Sequence, residues 1–117
     1  MVRRMTNYIN SVDRVFHALA DPTRLAVVEQ LCQGPASVKE LAAPFEMALP
    51  SFLQHLRVLE SEGLVVSEKQ GRVRTYRIAP KTLNRVEDWI THQRAYWESA
   101  LDRLQEYADA SNRSETE

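Results

Sequence analysis

The stretch SVKELAAPFEMALPSFLQHLRVLESEG, residues 37–63, decides how the chain folds. Its first four residues, Ser37-Val38-Lys39-Glu40, have the form of a capping box. A Ser oxygen is placed to accept the amide three residues on, and a Glu carboxylate can reach back to the cap amide. They open a short helix, Val38 to Ala43, which Pro44 limits. A turn through Phe45 and Glu46 leads into a second helical pattern, in which Leu49, Phe52, Leu56 and Leu59 recur on one face. Gly63 stops it. Two helices joined by a short turn, the second amphipathic, spell a helix-turn-helix.

Working outward, Leu64 to Glu68 and Val73 to Ile78 are short runs rich in Val, Thr, Tyr and Ile, separated by Lys69-Gln70-Gly71-Arg72. They predict a two-stranded hairpin beside the second helix, the position of a wing. After Pro80 a long helix is expected to about Tyr107. Within it Leu83, Ile90, Trp97 and Leu104 recur every seven residues beside Val86, Ala100 and Leu101, a seam that asks for a partner helix. Upstream, Ser11 opens a helix carrying Val12, Val15, Phe16 and Leu19 that stops at Ala20-Asp21-Pro22. Asp21 then caps another helix with Pro22 in its first turn, where Leu25, Val28 and Leu31 line one face until Gly34-Pro35. The order of elements predicts a mainly α fold with a small β-hairpin, a winged helix-turn-helix flanked by extra helices. Residues 1–10 are expected as a flexible N-terminal arm, 11–107 as the folded domain and 108–117 as a flexible acidic tail.

The 117 residues make one domain's worth of core. Fifteen Lys and Arg against 16 Asp and Glu give a net charge of -1, a total that by itself argues against a polyanion partner. Counting by segment reverses that argument. Lys69, Arg72, Arg74, Arg77, Lys81 and Arg85 fall within Lys69 to Arg85 without one acid, a local +6, so the hairpin is a phosphate-binding candidate. From Glu87 onward eight acids face three Arg, a local -5. The single Cys excludes an intramolecular disulfide and fits a reducing cytoplasm. No apolar run approaches the roughly 18 residues of a membrane span. Three His, at positions 17, 55 and 92, are scattered over different elements, and no nucleophile–base pair or phosphate-cradling Gly loop accompanies them, so an enzyme is not expected.

Four blocks carry a family resemblance: Phe16-His17-Ala18-Leu19-Ala20-Asp21-Pro22-Thr23-Arg24-Leu25, Gln54-His55-Leu56-Arg57-Val58-Leu59-Glu60, Glu62-Gly63-Leu64-Val65 and Gly71-Arg72-Val73-Arg74-Thr75-Tyr76. In this order and spacing the chain resembles the ArsR/SmtB family of bacterial winged-helix repressors from about Val12 to Tyr107. The resemblance implies N- and C-terminal dimerisation helices, the latter over about 81–107. It also implies a homodimer on an imperfectly palindromic operator in double-stranded DNA, released by a ligand or partner, in the cytoplasm and on the nucleoid when bound. Val12, Phe16, Leu83, Ile90, Trp97, Leu101 and Leu104 are then the candidate dimer interface.

At 100° per residue, Pro50, Gln54, Arg57 and Ser61 face away from the apolar stripe of the second helix, with Ser51 beside them. Ser51 and Gln54 are the candidate base-edge or phosphate readers, because a Gln amide both donates and accepts toward adenine. Arg57, with Lys69, Arg72 and Arg74 of the hairpin, is assigned to phosphate. Where many family members carry Ser-Gln, this chain has Ala48-Leu49, and Leu53 replaces a further Ser. Leu49, Pro50 and Leu53 therefore either meet thymine methyl groups, or Leu53 enlarges the core and readout passes to the wing and DNA shape. His55 borders the apolar face, either as a hydrogen-bonded structural histidine or as a base reader. Cys32 beside Leu31 reads as a small buried hydrophobe.

The family's metal sensors need grouped thiolates or His and carboxylate sets. Gly34 to Glu40 contains no Cys, and Asp88 and His92 stand one turn apart with no second His following. No metal or cofactor is expected, and the effector is an unidentified small molecule or protein. Trp89, Tyr96, Trp97 and Tyr107 are read either as dimer core or as the lining of a ligand pocket. The competing function is a winged-helix module that has lost DNA binding and uses Leu49, Pro50 and Leu53 against protein partners.

Overall fold

The computed structural model describes residues 12–116. The arm expected over 1–10 and the helix start at Ser11 lie outside them. Residues 12–19 are helical (α1), and the chain continues as α2 Pro22–Leu31, β1 Ala36–Ser37, α3 Val38–Ala42, α4 Leu49–Ser61, β2 Val65–Gln70, β3 Val73–Ile78 and α5 Pro80–Thr116. The chain divides into two compact units, one through Val86 and one from Glu87 to the end.

In the first unit local chemistry sets each boundary. The Asp21 carboxylate accepts the Arg24 amide at 3.0 Å and caps α2, with Pro22 as its first residue. Ser37 Oγ accepts the Glu40 amide at 3.2 Å while Glu40 Oε1 accepts the Ser37 amide at 3.1 Å, which is the expected capping box in full. The end of α4 is a Schellman motif. Gly63 N–H donates to Glu60 O at 3.0 Å and Leu64 N–H to Leu59 O at 2.9 Å, with Gly63 at φ 75°. The hairpin turns on Gly71 and Arg72, where a positive φ of 65° at Gly71 alone is the signature of a type II′ connection.

The sheet has three antiparallel strands in the order β1-β3-β2, not the two expected. Ala36 pairs with Tyr76 and Ser37 with Thr75. A two-residue strand carries no periodicity, so only the fold reveals it. Strand β2 also runs two residues further than the Glu68 expected, because Lys69 and Gln70 pair with Arg74 and Val73 and leave a two-residue turn.

The core gathers one side of every element: Val15 and Ala18, Val27, Val28 and Leu31, Leu41, then Phe52, Leu56 and Leu59 of α4, closed by Leu64, Val65, Tyr76 and Val86. Each large side chain buried here contributes about 1.5–3 kcal/mol. Three expected core residues fall outside it. Leu25 is exposed because Val27 and Val28 take the inner face of α2. Cys32, one residue past the last buried turn, is exposed, contrary to its reading as a buried hydrophobe. Leu49, at the first position of α4, has no preceding turn to lie over and is 53% exposed. Leu53, by contrast, packs against the core.

The second unit is helix. Its 37-residue parent α5 is about 55 Å long, and it passes Tyr107, where the sequence reading ended it, to reach Thr116. No Gly or Pro interrupts 108–116, and Gln105 Nε2 donates to Asp109 Oδ1 one turn on at 3.0 Å, so helix continues where a tail was expected.

Gly63 cannot be replaced freely, since an added Cβ would lie 3.0 Å from Thr82 Oγ1 in a left-handed conformation. Gly63→Ala is expected to lower unfolding stability by about 1–2 kcal/mol in urea titration at fixed protein concentration. Gly71→Ala, left-handed like Gly63 at φ 65° but with nothing within 4 Å of its added Cβ, separates the steric part from the backbone part.

Candidate nucleic-acid interface

Helix α4 is built with two unlike faces. Phe52, Leu56 and Leu59 are buried, while Pro50, Ser51, Gln54, Arg57 and Ser61 are exposed. The N-cap residue Ala48 makes no side-chain hydrogen bond and the first turn holds no acid, so the positive end of the helix dipole is uncompensated by the chain itself. On the outer face Arg57 Nη1 donates to Gln54 Oε1 at 3.0 Å. The Gln amide oxygen is therefore engaged and its NH₂ group is directed elsewhere, so one expected reader and one expected phosphate contact form a unit. Their i, i+3 spacing was a signal for this pairing that the sequence reading did not use.

The hairpin places Lys69, Arg72 and Arg74 on its exposed surface, with Arg77 further along β3. A relay joins it to α4: Arg74 Nη1 donates to Ser67 Oγ at 2.8 Å, and Ser67 Oγ donates to Glu60 Oε2 at 2.9 Å. One cation of the expected phosphate set thus also braces the hairpin against the helix. Burial pushes the Tyr76 phenol above its usual value, and the Glu60 carboxylate adds to the effect.

His55 is drawn inward. Arg24 Nη1 donates to His55 Nδ1 at 3.1 Å and Arg24 Nε donates to Ala18 O at 2.6 Å. A guanidinium only donates, so Nδ1 is the acceptor of this hydrogen bond. Asp21 Oδ2 stands 3.7 Å from the same nitrogen. His55 is the structural histidine of the two readings, tying α4 to the start of α2 and the end of α1. A second tie runs from Arg14 to Glu62, at 2.8 Å. Neither partner set was legible in the sequence, because Arg24 lies 31 positions and Arg14 48 positions from the residue it meets.

The residues assigned to association divide. Val12 is 4% exposed and Leu83 packs on the core, so both are already used within the chain, whereas Phe16 is exposed. In the second unit Ile90, Trp97, Leu101 and Leu104 are all exposed, Trp97 at 70%. Among the described residues no three His, Cys, Asp or Glu side chains are grouped to hold a metal ion, and no helix is long and apolar enough to cross a membrane.

A helix-turn-helix whose second helix buries one face and offers polar groups on the other, with a basic hairpin alongside, defines the winged helix-turn-helix class of DNA-binding proteins. A family model described as bacterial regulatory protein, arsR family, matches residues 21–67. The chain is 37% identical over 106 residues to the HTH-type transcriptional regulator Rv2034 of Mycobacterium tuberculosis (strain ATCC 25618 / H37Rv), covering 91% of this chain and 95% of that one. Its structure is similar to the crystal structure of the ArsR family transcriptional regulator RHA00566, with a TM-score of 0.72 and 50% identity, covering 77% of this chain and 93% of the other. It is also similar to the homodimeric winged helix-turn-helix DNA-binding domain Mb0332 (fragment 1-100) from Mycobacterium bovis, with a TM-score of 0.63 and 29% identity, covering 86% and 90%. The chain belongs to the arsR family of bacterial regulatory proteins, which are DNA-binding transcriptional regulators and not enzymes.

The cap of α2 has a pH signature. The Arg24 amide hydrogen bond holds the Asp21 carboxyl below its ordinary value, with the Arg24 guanidinium adding to the effect against some desolvation. A depressed carboxyl stabilises the fold at neutral pH, and that contribution is lost as pH falls through the folded-state value. Asp21→Asn keeps an acceptor oxygen but no charge. Its stability deficit is expected to be constant from about pH 7 to 5 and to close below about pH 4, as followed by thermal denaturation across that range.

Proposed function

We propose that this chain is a repressor acting as a homodimer on an inverted-repeat operator, each protomer setting α4 in a major groove and its hairpin along the neighbouring backbone, with no metal in its control. The observation that carries the reading is the juxtaposition of the exposed Ser51, Gln54 and Arg57 face with the basic hairpin, the two braced to each other through Glu60, Ser67 and Arg74. Helix α4 fits a major groove about 12 Å wide. Its first turn holds Leu49, Pro50 and Ser51 at base-edge depth, and Leu49 is free of the core to meet a thymine methyl. Gln54 offers its NH₂ group as a donor. Arg57, Lys69, Arg72 and Arg74 neutralise phosphates and set register without reading sequence.

Homodimerisation is supported by the exposed apolar residues Ile90, Trp97, Leu101 and Leu104 of the second unit, by the exposed Phe16 of the first, and by the homodimeric state of the related Mb0332 domain. A two-fold pair of identical readers calls for a two-fold symmetric site. The described residues serve reading and association, an arrangement that regulates by occupying a promoter, hence repression. The cytoplasm, and the nucleoid when bound, is the compartment such a reader works in. The exposed apolar residue Leu49 favours a protein-interaction module as the second reading, and salt dependence separates the two.

With four cations per protomer, a dimer makes about eight phosphate contacts. Binding to the DNA upstream of its own reading frame is then expected to weaken about 10³–10⁵-fold between 50 and 200 mM salt. Gln54→Ala should relax preference at one operator position by about 1–3 kcal/mol, whereas Arg72→Ala should weaken all sequences alike and lower the salt slope by about 1. Electrophoretic shifts on a panel of operator variants measure both. Absence of binding at either salt concentration sinks the DNA reading.

Trp97→Asp should leave the fold of one chain intact, because the side chain is 70% exposed, and should convert dimer to monomer in sedimentation equilibrium with loss of operator binding.

A further inference from the structure

Leu49 and Val73 are apolar, on different elements, and each 53% exposed. They face one cleft of about 710 Å³ between α3, the first turn of α4 and the hairpin turn, floored further by Val38 and Ala42. That volume is within the range of sites for small organic molecules, and its mostly apolar floor with a few polar groups at the edge is their usual composition. Its charge is one-sided. Lys39, Arg72 and Arg74 lie along the edge, and no acid is among the lining residues. The side chains of Lys39 and Arg72 make no hydrogen bond or ion pair among the described residues, and Arg74 commits one nitrogen to Ser67.

We propose that this cleft binds an amphipathic organic anion, a carboxylate with an aliphatic body, and that the bound acid excludes DNA. The chain of the acid lies on Leu49, Val73, Val38 and Ala42, removing their apolar surface from water. The carboxylate meets Arg72, whose planar fork matches it with two parallel hydrogen bonds, with Lys39 as the second charge. Leu49 stands in the first turn of the reading helix, and Arg72 and Arg74 are in the phosphate set. Acid and operator therefore need the same atoms, and each lowers the affinity for the other by the same factor. The exclusion step rests on the function proposed above; the binding step does not.

The test uses the full chain without DNA. Decanoate should displace the fluorescent probe 11-(dansylamino)undecanoic acid saturably, with a midpoint below about 1 mM, and uncharged decanol should be weaker by about tenfold or more. Val73→Glu sets a like charge in the cleft at an exposed position. It should lower decanoate affinity at least about tenfold while circular dichroism shows an unchanged melting curve, and Lys39→Ala should lower it severalfold. Decanoate should then release labelled operator over the same concentration range. No saturable displacement, equal binding of decanol, or full binding by Val73→Glu overturns the site. Salt-sensitive operator binding with no decanoate uptake refutes this inference alone. Decanoate uptake that depends on Val73 and Lys39, in a chain that binds no DNA, upholds the site and refutes the proposed function with its exclusion step.

Discussion

Everything in the first unit depends on α4 having to be inside and outside at once. Phe52, Leu56 and Leu59 form the centre of the core, where they meet residues of α1, α2, α3 and the sheet. The residues between them, a third of a turn away, are the ones left to face a partner. The inner face therefore sets the angle at which the outer one is presented, and loss of a core methylene would be felt in the position of Gln54 as well as in stability. The polar ties add direction. His55 holds the middle of α4 to α2, Glu62 holds its end to α1, and Glu60 holds the hairpin to it.

The two units meet different demands. The first is closed by its own core. The second keeps a seam of large apolar side chains in water, which a single chain has no means of burying within that helix. Surface of this kind on an otherwise polar helix marks association. The acidic balance of this segment and the basic balance of the hairpin separate two tasks along the chain, which is why the net charge of -1 says so little about either.

Much of this was legible because it is local. Caps, proline positions, the glycine after α4 and the inner stripe of Phe52, Leu56 and Leu59 are read from neighbours within four residues, and the structure places them as expected. The outward direction of Ser51, Gln54 and Arg57 follows from the same periodicity. What escaped reading depends on distant parts of the chain. The strand Ala36–Ser37 exists only because Tyr76 and Thr75 arrive beside it. Leu49 matches the apolar period of α4, yet the core begins one turn later, at Phe52, and periodicity has no term for where a core stops. His55 received its role from Arg24 and Asp21, and the cleft under Val73 from the path of the hairpin over α3. Residues 108–116 continue α5 although they are polar, because no Gly or Pro interrupts them and Gln105 pairs with Asp109 one turn on.

Ser37 has two duties that are seldom separable. Its backbone pairs with Thr75 of the hairpin, while its hydroxyl caps the helix that precedes the turn into α4. With the Glu60, Ser67 and Arg74 relay on the other side, the hairpin is fastened at two points, to the start of α3 through Ser37 and to α4 through Glu60. In the proposed complex with DNA the module acts as a caliper. A duplex is gripped only if the distance from its major groove to the backbone beside it suits that gauge, and a stiff sequence that does not suit it must bend at its own cost. Selectivity of this kind resides in base pairs the protein never touches.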